Sequence, residues 1–185
     1  MEKNNFSLLR SKEIIAILDG DKDFGELTFE DKYGNETKIK IAMPYLSGPA
    51  ICELSSFFGL PATYSWSGGA LSRWQYFDNI MSFCIKQNRM SDFLSYLFSK
   101  DKFVEMLRDL SVDDIQSAHE AILQKVSEQI NSILYFGGHE LRVIGKVYQV
   151  CNVGEVVAVA APAVKIIDRA YIKDLAGRAN KDIDE

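Results

Sequence analysis

The residues best suited to bind a ligand lie in the segment spanning residues 64–76. Gly68 and Gly69 allow a close backbone approach just before a helix predicted to begin after Ser72. Free N–H groups and the helix dipole favour an anion at such a position. Arg73 can add a bidentate contact to a phosphate or a carboxylate. The segment therefore predicts a pocket for a nucleotide or a phosphopeptide.

Aromatic side chains would complete this candidate site, because Tyr64, Trp66 and Trp74 can stack on a nucleobase. The alternative interpretation is that the Gly-Gly pair only turns the chain, that Ser72 caps the helix, and that the aromatic rings fill the core. The candidate ligand-binding residues are Ser67, Gly68, Gly69, Ser72, Arg73 and Trp74.

Motifs for catalysis and metal binding are incomplete in this sequence. His119 and His139 are each followed by Glu, but neither completes the H-E-x-x-H pattern that places two zinc ligands on one helix face. Residues 99–102 match S-x-x-K without the other elements of that chemistry. We therefore predict no catalytic residue, no metal ligand and no cofactor. His119 is expected to be a partly exposed helix residue, and His139 a turn residue.

Composition indicates an ordinary globular protein. The 185 residues are 47% hydrophobic and 25% charged, with a net charge of −5. The negative charge argues against a surface devoted to nucleic-acid backbones. Cys52, Cys84 and Cys151 lie in apolar patterns and are expected to be reduced core thiols in a cytosol. The first residues lack the apolar region of a secretory signal, so a soluble cytoplasmic protein without a membrane partner is expected.

Apolar periodicity predicts an α+β fold that is mostly helical and has two small antiparallel β-hairpins. One hairpin joins strands around Leu27 and Ile39 through a turn at residues 33–35, and the other turns at Gly145-Lys146 after a long helix. That helix is predicted from Ser111 to Phe136. Helices are expected to begin at the capping serines Ser11, Ser72 and Ser111. Two more are expected to begin near Ser47, where Pro49 suits the first turn, and at Ser91.

The carboxyl-terminal residues suggest two parts. Residues 1–165 are predicted to form a single α+β recognition or regulatory domain, in which residues 156–159 add a strand. Residues 166–185 are predicted to begin a helix that leads into a further domain. This helix reaches Glu185 without a glycine cap or a basic last turn.

Four stretches of the sequence carry a resemblance to a known family: MPYLSGPAICELSSFFGLP, SGGALSRWQYFDNIMSFCI, INSILYFGGHELRVIGKVYQV and DRAYIKDLAGRANKDIDE. Together they resemble the amino-terminal region of bacterial proteins that carry an abortive-infection C-terminal family domain. The resemblance covers most of residues 40–185. It implies a role in bacterial defence against phage, with any catalytic activity in the carboxyl-terminal domain, and it assigns no catalytic residue here.

Three functional hypotheses follow. The first is a non-enzymatic recognition or regulatory module of an antiphage defence protein, which binds a phage protein, a nucleotide signal or its own effector domain. The second is a metal-independent enzyme that acts on RNA through Arg73 and its polar neighbours. The third is a structural domain that forms homo-oligomers through the long helix of residues 111–136. Expected partners are therefore a protein or an effector domain, with a nucleotide or RNA as alternative ligands.

Overall fold

The computed structural model of the chain describes residues 7–65 and 71–156. Residues Met1–Glu155 form one compact unit, and Val156 begins a second one. The predicted strand at residues 156–159, apart from its first residue, and the predicted helix at 166–185 lie outside the described residues. The domain boundary predicted at residue 165 therefore stays a prediction.

The predicted α+β fold is confirmed: the described part of the chain contains six α-helices and two hairpins. The helices are α1 Lys12–Leu18, α2 Gly48–Phe57, α3 Arg73–Lys86, α4 Met90–Leu97, α5 Val104–Leu107 and α6 Val112–Leu134. A short 3-10 turn at Lys100–Phe103 precedes α5, and another at Tyr135–Gly137 follows α6.

Serine side chains cap three of these helices, and the caps at Ser11 and Ser111 were predicted. The hydroxyls of Ser11, Ser47 and Ser111 accept hydrogen bonds from the backbone N–H groups three residues later. The predicted start of α4 at Ser91 is wrong by a residue, since the helix begins at Met90. Its preceding residue, Arg89, instead donates a hydrogen bond to the Phe58 carbonyl oxygen at 3.0 Å and ties α4 to the end of α2.

Both predicted hairpins are present. Strands β1 (Asp23–Glu30) and β2 (Glu36–Ala42) pair antiparallel with Leu27 opposite Ile39. Strands β3 (His139–Ile144) and β4 (Val147–Asn152) pair antiparallel around the two-residue turn that contains Gly145, whose φ is +67°. These are two separate two-stranded sheets, and each packs against α6.

One apolar core includes side chains from all six helices and from β2 and β3. Phe77, Phe93, Phe98 and Phe103 are its largest fully buried side chains. The three cysteines are buried and unpaired, as expected.

The apolar stripe of α6 is part of the same core. The stripe is therefore used within the chain itself, and the exposed seam that the oligomerisation hypothesis requires is not present on this face. Its fully buried members are Ala118, Ile122, Val126, Ile130 and Leu134.

Candidate functional site

Arg73, the central residue of the predicted anion site, is the first residue of α3 and is already occupied. Its Nη1 donates a hydrogen bond to the Leu46 carbonyl oxygen at 2.7 Å. Its Nη2 forms ion pairs with Asp21 and, at 3.3 Å, with Asp19. The side chain is only 17% exposed. The guanidinium therefore acts within the fold and holds the turn after α1 against the segment that follows β2.

Asp19 is the buried acidic partner of Arg73 in this contact. It is 1% exposed, and burial raises the pKa of its carboxyl to about 6. The positive charge of Arg73 opposes that rise, and the negative charge of Asp21 adds to it. We refer to Asp19, Asp21 and Arg73 as the arginine cluster.

The arginine cluster fixes the backbone of residues 44–46. The Asp19 carbonyl oxygen accepts a hydrogen bond from the Leu46 N–H at 2.9 Å. Gly20 lies directly against this segment, because a Cβ placed there would come within 2.5 Å of the Tyr45 Cα. Its φ of +82° is also one that a side chain disfavours. The backbone of the turn after α1 therefore packs directly against the backbone of residues 44–46.

The other residues of the predicted site have separate roles. Ser72 precedes α3, and its N–H and hydroxyl donate to the Gln75 Oε1 at 2.7 and 2.9 Å. The Trp74 ring lies under the Lys12 ammonium, 4.6 Å from the ring centroid to Nζ. Ser67, Gly68, Gly69 and Trp66 lie outside the described residues. An anion pocket built from this segment stays a prediction.

An open apolar cleft also borders residues 44–46. Its volume is about 650 Å³. We call it the aromatic cleft because Tyr45, Phe57 and Tyr96 line it together with aliphatic side chains and two methionines. The lining residues are Leu18, Met43, Pro44, Tyr45, Leu46, Ala50, Glu53, Leu54, Phe57, Tyr96, Leu97, Lys102, Glu105 and Met106.

Two aromatic rings of this cleft are exposed to solvent. Phe57 is 65% exposed and Tyr45 is 63% exposed, although each is a large ring that burial would favour. The Phe57 ring packs on the Tyr96 ring at a centroid distance of 4.9 Å. The Tyr45 ring faces the Arg73 guanidinium at 4.6 Å. Both rings are therefore held in place while they still present apolar surface to solvent.

The helical spacing of α2 accounts for the exposure of Phe57. Ile51, Leu54 and Phe58 form the stripe that packs into the core. Ala50, Glu53, Leu54 and Phe57 follow the i, i+3, i+4, i+7 pattern of a second face, which lines the cleft. An aromatic residue placed off the core stripe was the available signal for this cleft.

A second, more polar groove of about 680 Å³ lies between α6 and the β3–β4 hairpin. The prediction that His119 is partly exposed is wrong, because its ring is buried, lies 4.8 Å from the Phe103 ring, and its Nε2 lies 3.0 Å from the Phe98 carbonyl oxygen. Burial lowers the pKa of His119. Asn131 binds the Leu141 backbone through both ends of its amide. The side chains of His119 and Asn131 therefore stabilise contacts within the fold.

His139 is the first residue of β3, and its Nδ1 is buried without a hydrogen-bond partner. Among residues 7–65 and 71–156, no group of three His, Cys, Asp or Glu side chains could hold a metal ion. Within those same ranges, none of the helices combines the length and the apolar character needed to cross a membrane.

Comparisons with known proteins leave the site to be interpreted from its own geometry. No protein-family model, no curated protein and no solved structure matches this chain.

Proposed function

We propose that this chain is a non-enzymatic recognition module of a bacterial abortive-infection antiphage defence protein, and that it recognises a protein partner through the aromatic cleft. The single observation that carries the recognition role is the open cleft with its two exposed aromatic rings, Tyr45 and Phe57. The resemblance of residues 40–185 to the amino-terminal region of abortive-infection proteins supports the defence context.

The shape and composition of the cleft favour a protein partner. Exposed aromatic side chains that are already held in place lose little conformational entropy when a partner covers them. Lys102, the one basic side chain among the described lining residues, is already paired with Asp101. The acidic side chains Glu53 and Glu105 would repel a phosphate. A polypeptide segment with large apolar side chains would bury the most surface here.

The existing contacts of Arg73 also favour the cleft, rather than the predicted anion site, as the recognition surface. Its guanidinium already contacts two carboxylates and two carbonyl oxygens, so an incoming phosphate would have to displace these partners. The aromatic cleft needs no such rearrangement.

The test is a phage challenge of bacteria that carry the gene, with the wild type compared with Phe57→Ala. We expect the wild type to reduce plaque formation by some phages and the variant to lose this protection at equal protein abundance. Phe136→Ala is the matched control, because Phe136 is 90% exposed and lies at the end of α6, away from the residues that line the cleft.

Two results would contradict the proposal. One is full protection by the Phe57→Ala protein. The other is a nuclease activity of the wild-type chain that depends on a single side chain, since that would make the chain an enzyme.

A further inference from the structure

The aromatic cleft carries acidic side chains on two different elements. Glu53 extends from α2 and Glu105 from α5, and both are exposed. Glu53 forms no ion pair with any other described residue. Glu105 pairs with Arg108 at 3.1 Å, but both side chains lie at the surface, where solvent screens the pair. The carboxylates therefore remain open to a charged partner.

Lys102, the one basic side chain among the described residues that line the cleft, does not balance these acids. Lys102 Nζ lies 2.9 Å from a carboxylate oxygen of Asp101 and 3.8 Å from the centroid of the Tyr96 ring. Its charge is therefore directed to neighbours within the fold. The cleft presents apolar surface next to excess negative charge, and the whole chain carries a net charge of −5.

We propose that the occupant of the cleft is a segment of a partner protein in which large apolar side chains lie next to Lys or Arg residues. This inference rests on the proposed recognition function and specifies the chemistry of the partner. Apolar side chains would cover Phe57 and Tyr45, and the basic side chains would meet Glu53 and Glu105.

The lining also has the means to adapt to such a segment. Met43 and Met106 contribute unbranched, polarisable side chains that repack at little cost. Residues 44–46 form a fixed opposite wall, since the arginine cluster holds their backbone. Specificity would therefore come from the position of the charges rather than from a rigid apolar outline.

The experiment uses the full chain and three fluorescein-labelled synthetic peptides, each of about 16 residues so that an amphipathic helix can form. The first contains Leu and Lys in amphipathic order, the second replaces Lys with Glu, and the third replaces Leu with Ser. Fluorescence anisotropy gives the dissociation constants. We expect the Leu–Lys peptide to bind more tightly than either of the others.

Variants locate the binding. Phe57→Ala should weaken binding of the Leu–Lys peptide about tenfold, as expected for an aromatic anchor. Glu53→Lys should weaken it about fivefold, as expected for reversal of an exposed charge at the rim. Glu120→Lys and Phe136→Ala should bind like the wild type, because both positions lie outside the cleft.

The outcomes separate failure of the partner chemistry from failure of the recognition function. If the Leu–Glu peptide binds as tightly as the Leu–Lys peptide, or if Glu53→Lys has no effect, the partner segment does not need basic residues. The cleft is still a recognition surface in that case, provided that Phe57→Ala weakens binding. If Phe57→Ala changes no peptide affinity, the cleft is not a recognition surface. A concentration-dependent dimer that Phe57→Ala abolishes would assign the cleft to a second copy of the chain and overturn the inference.

Discussion

The arginine cluster and the aromatic cleft both contact residues 44–46, but they differ in how their side chains are engaged. In the cluster, the buried Asp19 and the half-exposed Asp21 both pair with Arg73, which binds the Leu46 carbonyl oxygen, so the backbone is fixed. In the cleft, Tyr45 and Phe57 expose apolar surface that nothing in the described chain covers. A residue of a type suited to ligand binding, such as Arg73, can be fully engaged in contacts within the fold. Aromatic residues of the kind that usually pack in a core can instead stay exposed and available to a partner.

Removal of the Arg73 side chain should produce the largest effect. Arg73→Ala leaves the buried Asp19 carboxylate without its cation, which should lower the free energy of unfolding by about 3 kcal/mol. Urea denaturation measures the loss. Arg108→Ala is the control, because this exposed arginine should cost less than about 1 kcal/mol. Equal losses in the two variants would remove the distinction between the cluster and an ordinary surface ion pair.

The pH dependence of stability sharpens the electrostatic account of Asp19. Its pKa is raised to about 6 in the folded protein, so the folded state binds the proton more tightly than the unfolded state does. The free energy of unfolding should therefore fall by about 2 to 3 kcal/mol as the pH rises from about 4 to about 6 through this group.

Urea denaturation across this pH range tests whether the free energy of unfolding falls as the pH rises. Asp19→Asn cannot titrate at this position, so it should lack this part of the pH dependence. Parallel pH profiles for the wild type and the variant would show that Asp19 has an ordinary pKa.

A side chain at Gly20 should disturb the contact between the turn and residues 44–46. Gly20→Ala should destabilise the protein by about 2 kcal/mol, because it combines an unfavourable φ with a backbone clash. Gly145→Ala is the matched control, since Gly145 also has a positive φ but no atom lies within 4 Å of its added Cβ. Melting temperatures would show the difference. An equal loss at both positions would assign the whole effect to backbone conformation.

The smallest stability effect is expected in the cleft itself. Phe57→Ala should change the free energy of unfolding by no more than about 0.5 kcal/mol, because the ring is mostly exposed. Phe58→Ala removes the adjacent but buried ring and should cost about 3 kcal/mol. A large loss in Phe57→Ala would mean that this ring supports the fold and is not kept for a partner.

Local sequence patterns were enough to predict most of the fold. Capping serines and the apolar stripe located α1, α2, α3 and α6, and turn residues located both hairpins. The start of α4 was misplaced by one residue, because Met90, which precedes the predicted Ser91, is already helical and buried in the core. The burial of His119 was missed because its partners Phe98 and Phe103 come from another part of the chain.

The candidate site was harder to predict than the fold. A glycine pair before a helix and an arginine suggest anion binding, but the sequence does not show that Asp19 and Asp21 reach Arg73 from a turn about fifty residues earlier. The cleft is formed by α1, α2, α4 and α5 together with the segment that follows β2 and the turn before α5, so no single sequence motif predicts it. Only Phe57, off the core stripe of α2, marked it locally.

The central claim is that recognition takes place at the aromatic cleft and not at the segment around Arg73. Two-dimensional NMR of the isotope-labelled chain, titrated with the Leu–Lys peptide, tests it most directly. We expect the largest chemical-shift changes at Ala50, Glu53, Phe57, Tyr96 and Met106. Changes concentrated at residues 67–74, with the cleft unaffected, would contradict the account.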